Sequence, residues 1–171
     1  EEYIRTFESL LSEFKPTQKL LDAVGTIPEN IISVHLRRTD KMSNPDATHG
    51  VDMNEIEHLD TLTESTVDKL KSRHSIYLAS ECKKTKAKYT AKYSDSVLVK
   101  DTDSMIQTYI DMYIMSQSKY IVMSQRHSSF SLFCSLFGQA TLVYLFDDDI
   151  ISKTRYTCLP YVKFYKDLIS V

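Results

Sequence analysis

The stretch Ile31-Ile32-Ser33-Val34-His35-Leu36-Arg37-Arg38-Thr39-Asp40-Lys41 passes from apolar to densely charged within one strand length. Its start, Ile31 to Val34, reads as a buried strand. The strand runs into a histidine, two adjacent guanidiniums, a hydroxyl, a carboxylate and an ammonium. So many charges at the end of a buried strand are more than folding requires. In an open α/β sheet, ligands bind at the carboxyl ends of the strands. Two arginines at that edge suit a phosphate or a carboxylate, because the planar guanidinium offers forked donors matched to those anions. The same pair would also serve as ion-pair partners of nearby acids, and residue types alone leave both readings open.

Working outward, strands and helices alternate. Residues 75–79, 96–99, 119–123 and 141–145 read as four further strands. Helical patterns fall near 64–71, 82–91, 104–117 and 128–137. Upstream, Tyr3, Ile4, Phe7, Leu10, Leu11 and Phe14 share one face of a helix over 2–14. Lys15-Pro16 breaks it, and a second helix runs from Pro16 to Val24. This alternation predicts an α/β fold: a Rossmann-like parallel sheet with helices on both faces. Residues 1–29 supply leading helices and 30–171 the core of a single domain, expected to be part of a longer protein. Residues 40–60 read as a polar connection long enough to fold over a ligand.

Composition narrows the function classes. The 171 residues are 42% hydrophobic, enough for one core. A net charge of −2 argues against a general nucleic-acid binder. No apolar run reaches the roughly 18 residues of a membrane span, and Glu1-Glu2 does not open a signal peptide. Cys82, Cys134 and Cys158 lack metal-ligand spacing, and a Cys82–Cys158 disulfide stays open. Cys134, in an apolar stretch, is expected to be buried.

Two further elements end strands with polar groups. Tyr77-Leu78-Ala79-Ser80-Glu81-Cys82 places a hydroxyl and a carboxylate at the same sheet edge, although strands often end in a cap for the next helix. Ile110-Asp111-Met112-Tyr113-Ile114-Met115-Ser116-Gln117-Ser118, a strand, and then Ser128-Ser129 before an apolar helix form the other. Free N–H groups and hydroxyls at a helix start suit a diphosphate, and a plain N-cap is equally compatible. Asp111 is the odd residue on its apolar helix, and the pattern also allows it an exposed position.

His35-Leu36-Arg37-Arg38-Thr39-Asp40-Lys41 closely resembles the first signature of the GDP-fucose-using glycosyltransferases, above all the α1,6-fucosyltransferase branch of nodulation and core-fucosylating enzymes. The second and third elements are similar to the family's Tyr-Leu-Ala-Thr-Asp-Asp and Ser-Gln-Ala-Asp-x patterns, with Cys82 in place of the second acid. The resemblance spans roughly residues 30–137 and implies the donor-binding half of a GT-B-like fold. It implies an inverting transferase that moves fucose from GDP-fucose to a glycan or protein hydroxyl, without metal or other cofactor, beside an amino-terminal domain missing here. It assigns Arg37 to the β-phosphate and the departing GDP. His35 and Asp111 would read guanine, whose N1–H and amine form a paired donor edge that adenine lacks. Ser128 and Ser129 would anchor the diphosphate. Arg38, Asp40 and Glu81 join the donor set, with Arg38 more a structural partner. The family's general base falls on Pro45 by strict count, so Asp46, assisted by Lys41, is the nearest substitute. Another GDP-sugar, or a nucleotide-sugar-binding module without turnover, remains compatible.

Two clusters stand outside that pattern. Lys83, Lys84, Lys86, Lys88 and Lys92 read as a solvated basic face. Asp147-Asp148-Asp149 has the chemistry to hold Mg²⁺ or Mn²⁺, but reads better as an acidic loop.

Overall fold

The computed structural model describes residues 9, 13–38, 53–94, 97–100, 102, 104–124, 128–138, 140–145 and 162–164, with side chains in the first helix after the gap from residue 57. Its elements are α1 (Gln18–Val24), β1 (Ile31–His35), α2 (Met53–Leu70), β2 (Ser75–Ala79), α3 (Lys83–Lys92), β3 (Val97–Leu98), α4 (Ser104–Ser116), β4 (Tyr120–Met123), α5 (Ser129–Gly138), β5 (Thr141–Tyr144) and β6 (Val162–Phe164). The six strands form one sheet in the order β3-β2-β1-β4-β5-β6, every pair parallel. That is the order of doubly wound nucleotide-binding sheets. Chain direction across the sheet reverses between β1 and β4, which opens a crevice at their carboxyl ends.

β1 is buried throughout because it is central and covered on both faces. Strand alternation sorts its side chains. Ile31 joins a cluster with Ile110, Ile114 and Cys134 from α4 and α5. Ile32, Val34 and Leu36 join the opposite cluster with Val67 of α2 and Tyr89 of α3. β2 alternates in step: Tyr77 and Ala79 face α4 and α5, Ile76 and Leu78 face α2 and α3. Ser33 is a polar residue in the middle of β1, and its hydroxyl meets that of Ser118 at 2.6 Å. Ser118 also donates to the Ile114 carbonyl at 2.9 Å, so this buried pair is satisfied and ties the end of α4 to the sheet.

Several expectations change. A sixth strand, β6, extends the sheet beyond the five predicted; at three residues it is too short to carry a periodic signal. α2 begins at Met53 and not near 64, so residues 53–60 of the expected connection are helical, while residues 39–52 lie outside the described residues. Met53, Ile56, Leu59 and Leu62 recur there at helical spacing among polar residues. Helix α1 starts at Gln18, capped by the Thr17 hydroxyl accepting from Leu20 N–H, so Pro16 lies just outside it. Lysines of α3 are not simply solvated. Lys86 is buried with its ammonium on the Lys100 carbonyl at 3.0 Å. Lys88 and Lys92 both grip Glu64 of α2, at 2.6 and 2.5 Å. Cys82 and Cys134 are free thiols among the described residues, and Cys134 is fully buried. Residues 2–8, Cys158 and Asp147–Asp149 lie outside the described residues.

α4 and α5 approach closely where α5 ends. A Cβ on Gly138 would fall inside the backbone carbonyl of Ser116. Main chain cannot yield as a side-chain tip can, so Gly138→Ala is expected to cost about 3 kcal/mol, the upper end for overpacking. A lowered thermal midpoint with unchanged far-UV circular dichroism is the expected reading, and an unaltered midpoint would contradict this packing.

Candidate functional site

At the crevice, backbone and hydroxyl groups clamp three strand ends together. Leu36 N–H donates to the Ala79 carbonyl at 2.9 Å. The Ser80 hydroxyl donates to the Leu36 carbonyl at 2.6 Å, and the Ser124 hydroxyl to the His35 carbonyl at 3.0 Å. Over these ends lies a cleft of about 460 Å³, within the roughly 300–1,000 Å³ of small-ligand sites. Its walls are His35 and Arg37 after β1, Ser80 and Glu81 after β2, Thr108 and Asp111 of α4, and Phe130 of α5.

His35 is 7% exposed. Its Nδ1 sits 2.6 Å from the Ser131 hydroxyl and 3.3 Å from that of Ser128. The Phe130 ring lies 5.4 Å away, centroid to centroid. Burial lowers the imidazole pKa to about 4; Glu81 pulls it up and Arg37 pushes it down. His35 is therefore neutral at physiological pH.

Asp111 is buried on the cleft wall, which excludes an exposed position. The Tyr77 hydroxyl donates to its Oδ1 at 2.5 Å, and Gln107 Nε2 donates to the same oxygen at 2.6 Å. Burial raises the carboxyl pKa to about 6, against the lowering effect of those two hydrogen bonds. Burial and the neighbouring carboxylate push Tyr77 well above its ordinary value, so it stays a donor.

The two arginines part company. Arg37, two residues after His35, lines the cleft on the same side. Arg38 does not line it. Its side chain is 4% exposed and ion-paired with Asp60 of α2, while its backbone N–H donates to Glu81 Oε1. This position agrees with Arg38 acting more as a structural partner than as a direct ligand contact. Burial depresses its pKa, partly offset by Tyr89, Glu81 and Cys82. Ser128 is the N-cap of α5, accepting from Ser131 N–H at 3.3 Å. Ser129 is exposed in the first turn. Cys82 precedes α3 and does not wall the cleft. Asp40, Lys41 and Asp46 lie outside the described residues.

Tyr77, Gln107, Thr108, Phe130 and Ser131 were not assigned roles from sequence. Spacing offered a signal for three of them. Gln107 and Thr108 stand four and three residues before Asp111 on one helix face. Ser131 stands three after the N-cap Ser128, where a side chain can answer the cap. Among the described residues, no group of three or more His, Cys, Asp and Glu side chains is arranged to hold a metal. No helix among them is long and apolar enough to cross a membrane.

The fold and cleft define an α/β Rossmann-like domain with its polar residues gathered at the topological switch point, the usual place for a ligand in such sheets. Solved structures of fucosyltransferases share this fold. The chain aligns with the fucosyltransferase NodZ from Bradyrhizobium at TM-score 0.51 and 14% identity, over 87% of this chain and 45% of that one. It aligns with POFUT1 in complex with GDP-fucose at TM-score 0.50 and 15% identity, over 78% of this chain and 46% of that one. The chain thus spans under half the length of either enzyme. No protein-family model and no curated protein sequence matches it.

Proposed function

We propose that this chain is the donor-binding half of an inverting glycosyltransferase that uses GDP-fucose and a glycan or protein hydroxyl as acceptor. One observation carries the reading: a single cleft gathers a guanidinium (Arg37), a neutral imidazole (His35) and a buried carboxylate (Asp111) at the switch point of a parallel sheet. Arg37 suits the β-phosphate, where a fixed cation stabilises charge as GDP departs. Asp111, ionised above about pH 6, suits the donor edge of guanine. Burial matters for Asp111, because a carboxylate screened by water distinguishes bases poorly. The hydroxyls of Ser128 and Ser131 hold the His35 ring in place. Ser129, in the exposed first turn of α5, remains available to a diphosphate together with the helix N-terminus. Asp46, assisted by Lys41, is the proposed base, and Asp40 completes the donor set with Glu81. A partner domain supplies the rest of the acceptor cleft, and no metal takes part in this scheme.

Calorimetric titration with GDP, GDP-fucose and ADP tests the reading. Two hydrogen bonds from guanine to a buried carboxylate are expected to favour GDP over ADP by at least about tenfold. Equal affinity for both diphosphates, or none for GDP, would sink the proposal. Cys82, standing where fucosyltransferases of this type carry an acid, favours a second reading: donor binding without turnover. GDP binding with no GDP release in the presence of acceptor and partner domain would single it out.

A further inference from the structure

We propose that Tyr77 and Gln107 are positioning residues for base selection, holding the Asp111 carboxylate by one oxygen and turning the other toward the bound nucleotide. The inference rests on the reading of Asp111 as the group that meets guanine.

The geometry is specific. Both donors meet at Oδ1, the Tyr77 hydroxyl at 2.5 Å and the Gln107 amide at 2.6 Å. They come from different elements, β2 and α4, so the carboxylate is fixed from two directions. Gln107 Nε2 also lies 3.4 Å from the Tyr77 hydroxyl oxygen, which closes the triangle. Each carboxylate oxygen has two lone pairs. Two donors therefore fill Oδ1, and Oδ2 is the oxygen left for a ligand in the cleft that Asp111 lines. All three residues are nearly inaccessible: Tyr77 0%, Gln107 7% and Asp111 8% exposed. A buried tyrosine needs a hydroxyl partner, and here the partner is the one acid of α4.

The arrangement also controls ionisation. A carboxylate must be charged to accept from guanine, and burial works against the charge. Hydrogen bonds from Tyr77 and Gln107 oppose that effect, and so does Lys86 of α3; Glu81 after β2 adds to it. Asp111 also acts on Cys134 of α5, a buried thiol pushed further from ionisation. His35, with its pKa near 4, and Arg37 complete the cleft's titratable groups among the described residues. Removing either donor leaves Asp111 harder to ionise, so selective GDP binding should fail at a higher pH.

The test is the GDP-to-ADP affinity ratio from pH 5 to 8.5, which cancels the titration of the diphosphate itself. For the unaltered chain the ratio should fall below about pH 6. Tyr77→Phe and Gln107→Leu are each expected to move that fall upward by about one pH unit, the equivalent of one hydrogen bond to a charged group. A purely structural loss would lower both affinities without moving the midpoint. Gln107→Leu leaves the sheet untouched, so it keeps the test open if Tyr77→Phe does not fold. Midpoints of both variants coinciding with the unaltered chain would overturn the inference while leaving the donor-site reading intact. A ratio near one in the unaltered chain, or one unaffected by Asp111→Asn, would instead overturn the role of Asp111 in the proposed function.

Discussion

Arg37→Ala is expected to weaken GDP binding about a hundredfold and to lower the thermal midpoint less than Arg38→Ala does. Its guanidinium lines the cleft, where a charge-assisted pair with a phosphate contributes roughly 1.5–3 kcal/mol. If Arg37 also stabilises departing GDP, turnover should fall by a further factor on the order of a hundred. Arg38→Ala should behave in the opposite way. That side chain is buried and paired with Asp60, so its loss should lower stability and spare the affinity of whatever fraction stays folded. Parallel calorimetry and thermal melts on the two variants separate the cases. Equal effects of both substitutions on GDP affinity would show that the partition between a cleft arginine and a structural arginine is wrong.

Asp111→Asn is expected to abolish the preference for GDP and, at neutral pH, to make the fold more stable. A carboxyl pKa near 6 in the folded chain, against 3.8 as the ordinary value, means that burying the ionised form is unfavourable. The penalty is absent below about pH 4 and fully present above about pH 6. A shift of this size corresponds to about 3 kcal/mol. Asparagine keeps an oxygen for Tyr77 and Gln107 and carries no charge. The thermal midpoint at pH 7 should therefore rise by roughly 6–12 °C for a chain of this length.

His35 works in the other direction over nearly the same range. Its folded value near 4, against an ordinary 6.5, provides stability that is complete above 6.5 and lost as pH falls through 4. In the unaltered chain the two trends largely cancel between pH 4 and 6.5. In Asp111→Asn only the His35 trend remains, so its stability should decline visibly on acidification across that interval. Chemical denaturation at pH 4.5, 5.5 and 7 measures both slopes. A variant less stable than the parent at pH 7 would refute the assignment of Asp111 as a costly, functionally retained charge. Residues kept at a stability cost are what a binding site in an otherwise consistent fold leads one to expect.

Much of the architecture was readable along the chain, because strands and helices announce themselves by local period. Ile31 to Val34 is apolar on both parities, as a strand covered on two faces must be, and it became the centre of the sheet. The α4 pattern, with Ile110 and Ile114 at helical spacing, was equally local and equally clear. β6 was not legible, since three residues carry too little periodic information, whereas the start of α2 has Met53, Ile56 and Leu59 at helical spacing among many polar residues.

Which charged groups meet is a different kind of question. The parity of β1 already separates Arg37 from Arg38: odd residues follow His35 toward α4 and α5, even ones follow Leu36 toward α2 and α3. That rule is local and needs only the strand. The partners waiting on each side are set by chain packing. Asp60 lies 22 residues from Arg38, Tyr77 lies 34 from Asp111, and Ser131 lies 96 from His35. No local pattern encodes contacts at such separations, because they arise only when parallel strands are brought into register through helical crossovers. Helices and strands follow from short-range steric and hydrophobic periodicity. The shared oxygen of Asp111, the neutral state of His35 and the burial of Arg38 follow from desolvation and hydrogen bonding, which exist only once distant segments exclude water together.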